Sequence, residues 1–196
     1  SLENQSGLNE QYAAAMRSVF LQNDKDPDIG SLYADALMLL HPWDFWQHNG
    51  QAKSWTPEIV DVLEKVLEKA PLHPGANHYY IHVVEASNQP GRAKKSADRL
   101  GSLAPSLSHL VHMPSHIYVR TGDFEKGIQV NTAAVKGYEL YKNLFPSVVD
   151  KIDLYEIHNR HMQVACAIHL DNYEKARTLA ADCRKSIPEE WLSIPG

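Results

Sequence analysis

The residues best equipped for chemistry in this chain are histidines in spaced pairs. His78-Tyr-Tyr-Ile-His82 and His112-Met-Pro-Ser-His116 each place two imidazoles four residues apart. On a helix that spacing puts both rings on one face. The two pairs are separated by 34 residues, and a third cluster, His158-Asn-Arg-His161, lies further along. Neutral imidazole is the commonest protein ligand for transition metals and suits zinc, copper and iron. Histidines four apart on a helix can share one ion. A histidine-rich face of a metal-free binding scaffold is the competing chemistry.

Composition narrows the alternatives. The chain has 196 residues, of which 43% are hydrophobic and 22% charged, with net charge −5. Nothing in that balance favours nucleic acid, and no apolar run is long enough for a membrane span. The basic cluster Arg92-Ala-Lys94-Lys95 fits a solvated helix face. Cys166 and Cys183 are too few for a disulfide framework and fit buried thiols, with a single bridge possible. No Ser/His/Asp constellation, phosphate loop or paired-cysteine zinc motif is present. The first residue is serine, so the lack of a targeting segment leaves the compartment open between cytoplasm and periplasm.

Helices must position these side chains, because strand alternation is absent and the apolar period is helical throughout. The expected fold is all-α. Residues 1–9 are polar and predict a tail. Helices are predicted from about Glu10 to Gln22, with Tyr12, Ala15, Met16, Val19 and Phe20 inward, and from Pro27 to about Leu40, with Leu32 and Tyr33 inward. His41 to Trp55 is an aromatic loop, either a lid with Trp43, Phe45 and Trp46 as its apolar side or a cap on the first helix pair. Thr56-Pro57-Glu58 opens a helix to Ala70 with Ile59, Val62, Leu63 and Val66 inward. Further helices are predicted to Ser87, over 92–103, 106–120, 124–141, 152–169 and 172–186, with a break around Pro146 and a tail over 189–196. Asp44 and His48 precede His78 and His82 by 34 residues, but the loop interrupts the helical frame there.

Small residues recur where second helices begin: Ala93, Gly127 and Ala176, with prolines following at Pro105 and Pro188. Ser115, Tyr118, Gly127 and Ala134 complete one unit of this pattern. In these positions and in its 34-residue period the sequence resembles the tetratricopeptide repeat family. The resemblance covers roughly 10–188, as one domain, with departures at the aromatic loop 41–55 and at about 138–152. The tryptophan and Leu-Gly pair of the family's first helix are missing. The segments around His78, His112 and His158 are similar to a histidine-rich, largely uncharacterised bacterial subgroup.

The resemblance implies antiparallel helix pairs stacked into a right-handed superhelix, with the first helices lining a concave face. His78, His112 and His161 would then form one row, His82 and His116 a second, His109 and His158 a third. The metal ligands expected on this frame are drawn from His78, His82, His112, His116, His158 and His161. Glu85 would add a carboxylate, Asn159 and Tyr79 would orient ligands, and His109, Arg120 and His169 would line the groove. The same wall could instead hold an acidic peptide, a protein partner or a small anion, with Arg120 as the anchoring charge. It could also be a hydrogen-bonded histidine network. With a metal, open coordination positions would allow Lewis-acid hydrolysis or redox chemistry, and the sequence does not choose between them.

Overall fold

Proline and short polar side chains start most of the helices. Pro27, Pro57, Pro74 and Pro114 each occupy a first-turn position, where the missing N–H costs nothing. Asp26 caps its helix by accepting from the Asp28 and Ile29 amides at 2.9 and 3.2 Å. His73, in the turn before Pro74, is also a cap: its Nδ1 accepts from the Ala76 amide at 3.0 Å, so Nε2 carries the proton and donates to Asp28 at 2.8 Å.

The computed structural model describes residues 2–193, with side chains described for 5–147 and 154–192. The chain is all-helical, as the apolar period predicts. Two compact units divide it. The first, Ser1–Leu103, contains α1 (Leu2–Gln22), α2 (Pro27–Met38), α3 (Thr56–Lys69), α4 (Pro74–Val84) and α5 (Lys94–Leu103). The second, Ala104–Gly196, contains α6 (Ser108–His112), α7 (Pro114–Thr121), α8 (Phe124–Leu144), α9 (Val149–His169) and α10 (Tyr173–Lys185). No described helix is long and apolar enough to cross a membrane.

Several boundaries differ from expectation, each for a local reason. The segment predicted as a tail over 1–9 is helical from Leu2, while Ser1 lies outside the described residues. Helix α1 packs mainly against α2, so Ala13, Met16 and Phe20 are its covered side chains, and Tyr12, Ala15 and Val19 stay exposed. Leu32, predicted inward on α2, is exposed too. The helix expected over 106–120 breaks at Met113, because Pro114 has no N–H to give and its ring crowds the preceding turn. Around Pro146 the break is shorter than expected: α8 runs to Leu144 and a single 3₁₀ turn, Pro146–Val148, leads into α9. A 3₁₀ turn, Glu189–Ser193, occupies the predicted C-terminal tail, whose last three residues lie outside the described ones.

The aromatic loop is tied down at several points. The Trp46 indole donates to the Val83 carbonyl at 2.6 Å and the Trp55 indole to the Asp44 carbonyl at 2.8 Å. Thr56 is buried in the first turn of α3, and its hydroxyl bonds the Phe45 carbonyl. Phe45 itself is buried, among a core that includes Tyr33, Ile59, Leu63 and Ile81. A single antiparallel bridge, Trp46 with Ala52, closes around a turn at Gly50.

In the second unit α8 packs against α6, α7 and α9, and α9 against α10. Gly127 lies at a close contact between α8 and α9. A Cβ there would sit 2.6 Å from Cys166 Sγ, on a side chain that is itself fully buried. The small residue predicted at this crossing is therefore required by contact. Both cysteines are free thiols. Gly127→Ala is expected to lower stability by about 1–3 kcal/mol through overpacking, despite alanine's better helix propensity. Urea unfolding followed by circular dichroism would show it, and an unfolding midpoint at or above the parent's would mean the helices can separate without cost.

Candidate metal centre

Three imidazoles converge in the second unit. His112 ends α6, His116 lies in the first turn of α7, and His158 comes from α9. One ligand atom from each lies within 4.8 Å of the others. Ring centroids are 4.9 Å apart for His112 and His116, 5.0 Å for His112 and His158, and 5.6 Å for His116 and His158. The helix break at Met113 falls between the first two and keeps them in register: the His116 amide reaches back to the Met113 carbonyl at 3.2 Å.

Asn131 of α8 sets the chemistry of His112. Its Nδ2 donates to the Gly127 carbonyl one turn earlier at 2.8 Å, which fixes the amide orientation. Oδ1 therefore faces His112 Nδ1 at 3.3 Å as an acceptor. His112 then carries its proton on Nδ1 and presents the Nε2 lone pair to His116 Nε2, 3.4 Å away. An outer hydrogen bond on one ring nitrogen that frees the other is how ligating histidines are oriented. His112 is 3% exposed. Burial first, and then the neighbouring His116, His158 and His109, push its pKa down to about 2, against the opposing bond from Asn131. The ring is a neutral base at any ordinary pH.

A buried ion cluster holds α9 in place. Glu156 is buried and takes the Lys142 ammonium together with Arg160, whose Nε and Nη2 lie 3.0 and 2.8 Å away. Burial pushes the Glu156 carboxyl up, and the bonds from Lys142 and Arg160 more than offset it, so it sits below the usual carboxylate range. Gln163 adds a bond to Thr132 across the same pair of helices at 2.7 Å.

The other expected site residues fall in several places. His109 flanks the trio, its ring 5.6 Å from His112 and 5.9 Å from Tyr155. His161 is exposed and does not belong to the converging trio. His169 is exposed and stacks on Phe124 at 4.8 Å. Arg120 is exposed near the end of α7. Asn159 is 1% exposed, with Nδ2 lacking an acceptor among the described residues. In the first unit, His78 and His82 face each other on α4 at 4.8 Å, and His82 Nδ1 lies 3.3 Å from Glu85 Oε1. Tyr79 bonds Asp35. Asp44 and His48 sit in the loop, exposed. Asn131 is the residue that spacing arguments miss. Its signal is a polar amide on the buried stripe Gly127, Ile128, Ala134, Val135 and Tyr138 of α8.

Comparison with protein-family models, with curated proteins and with solved structures finds no match, so function has to be argued from this geometry.

The neutral burial of His112 fixes a pH dependence of the metal-free protein. Between about 6.5 and about 2 the unfolded chain binds a proton on this residue and the folded chain does not. Stability from this group is therefore full above the unfolded value and falls as pH drops, by about 1.4 kcal/mol per pH unit. With chelator present, urea unfolding between about pH 7 and about pH 5 should show a pH dependence greater for the parent than for His112→Gln, approaching one proton at the lower end. Equal slopes would mean that the folded ring titrates as it does in the unfolded chain.

Proposed function

We propose that this chain is a tetratricopeptide-like helical-repeat protein whose second unit binds a transition-metal ion through His112, His116 and His158. The observation that carries the metal reading is the 3.4 Å separation of His112 Nε2 and His116 Nε2. Two nitrogens each about 2.0–2.1 Å from a tetrahedral zinc ion lie about 3.3–3.4 Å apart. Bringing the third imidazole to the same spacing closes a gap of at most about 1.5 Å, within reach of a side-chain adjustment. His112 is already in the ligating tautomer, and His116 has only to carry its proton on Nδ1.

Three neutral imidazoles without a carboxylate suit zinc or copper(II) better than iron(II), whose oxygenase sites pair two histidines with a carboxylate. A three-histidine set leaves a fourth coordination position for water or a ligand, the arrangement of catalytic rather than structural zinc. The repeat reading is supported separately. In each unit helices pack mainly on their neighbours in chain order. Ala93, Ser115, Tyr118, Gly127, Ala134 and Ala176, which define the repeat frame, are all buried.

Untagged protein stripped with chelator and titrated with Co²⁺ should develop the intense visible bands of a tetrahedral site at one ion per chain, displaced by Zn²⁺. His112→Ala and His158→Ala should abolish the bands, and Asn131→Leu should weaken binding by about 10–100-fold as an orienting partner is lost. Metal binding needs deprotonated imidazole, so affinity should fall as the pH is lowered. Absence of stoichiometric binding, or bands that persist in His158→Ala, would sink the assignment.

A further inference from the structure

A cavity of about 170 Å³ opens in the first unit between the end of α2, the aromatic loop and α4. Its walls are mainly apolar, supplied by Met38, Phe45 and Trp43, and its polar groups are Asp35, Tyr79 and the His78/His82 pair. An apolar cavity of about 150 Å³ is enough for benzene. This one therefore has room for a single ring and a short substituent.

Asp35 decides the charge of that substituent. The carboxyl is half-buried on α2 and bonds the Tyr79 hydroxyl. Among the described residues no cationic side chain pairs with it. A carboxylate withdrawn from water without a counter-charge is costly, and a cationic ligand removes the cost. Burial raises the Asp35 pKa, with Tyr79 opposing, which is the expected signature of a desolvated acid waiting for a partner. His82 Nδ1 lies 3.3 Å from Glu85 Oε1, which adds a second carboxylate near the same wall. The aromatic walls Trp43, Phe45 and Tyr79 favour the same sign, since ring faces attract cations.

Trp43 is a second, independent observation. It is 80% exposed, although it lines the cavity. Its φ of 54° is left-handed, a conformation that is strained for a bulky side chain and collects at ligand sites. The anchors on Asp44, Phe45 and Trp46 fix the chain immediately after it. The strain therefore holds a large indole at the mouth of the cavity, where an occupant would cover it.

We propose that this cavity binds a small organic amine, an ammonium group carried on one aromatic or alicyclic ring, with Asp35 pairing the ammonium and Trp43 closing over the ring. The site does not depend on the metal centre. The test uses the full chain with chelator present, 2-phenylethylamine as the probe, and phenylacetate and 2-phenylethanol as anionic and neutral controls of the same shape. Calorimetry, with tryptophan fluorescence alongside, should show one saturable amine site and at least about tenfold weaker binding of phenylacetate, a difference of about 1.4 kcal/mol. Asp35→Asn should weaken the amine at least about tenfold and leave the alcohol unchanged. Trp43→Ala, an exposed position that does not threaten folding, should weaken amine and alcohol alike. No saturation by about 10 mM amine, equal affinity for amine and acid, or an Asp35→Asn protein that binds the amine normally would each overturn the proposal. Should Asp35→Asn fail to fold, Trp43→Ala and the two controls decide it.

Discussion

A buried carboxylate governs how the second unit is put together. Glu156 lies inside the contact between α8 and α9, where an uncompensated charge would cost several kcal/mol. Lys142 and Arg160 must therefore stay turned toward it, and Arg160 also reaches Glu139 at 3.2 Å. Together with the buried Cys166 and Ala167, that requirement favours one rotation of α9 about its own axis. With Glu156, Asn159 and Gln163 directed into the unit, His158 falls on a neighbouring face, where His112 and His116 are waiting.

The same unit tolerates an unusual amount of buried polarity. Asn131, His112, Ser115, Gln163 and Glu156 are all covered. Such groups are stable only where each finds partners. The helices meet these demands in sequence: the Gly127 carbonyl fixes Asn131, and Asn131 fixes His112. A chain of this kind is rigid because no member can turn without leaving another unsatisfied. Preorganisation at the imidazoles follows from it, since the acceptor Asn131 Oδ1 favours one tautomer and one orientation of His112.

Much of this was legible in residue spacing, and the failures have specific causes. The all-helical class, α3 and its buried face, and the small residue at Gly127 follow from periodicity and from contact size. The pairing of His112 with His116 follows from their separation of four. Periodicity cannot say how many neighbours a helix has, so it overestimates the covered face of α1, which packs mainly on α2. It cannot distinguish His158 from His161, since both lie on one helix and only the packing of α9 brings His158 to the pair and leaves His161 exposed. Asn131 escaped notice because a lone mid-helix asparagine has no signature of its own. Its role exists only once the Gly127 carbonyl and His112 stand on either side of it.

The three imidazoles also carry a record of folding order. His112 and His116 are brought together by one helical turn, an event complete within about a microsecond. His158 lies 42 residues beyond His116 and arrives only when α8 and α9 have docked. Closing that loop has an entropic cost that the local pair does not bear, and non-local contacts of this kind form late. A chain with α9 undocked retains two nitrogens of the three. The cluster is thus a local half completed by a distant one, and its third nitrogen is an internal reporter of the moment at which the unit becomes whole.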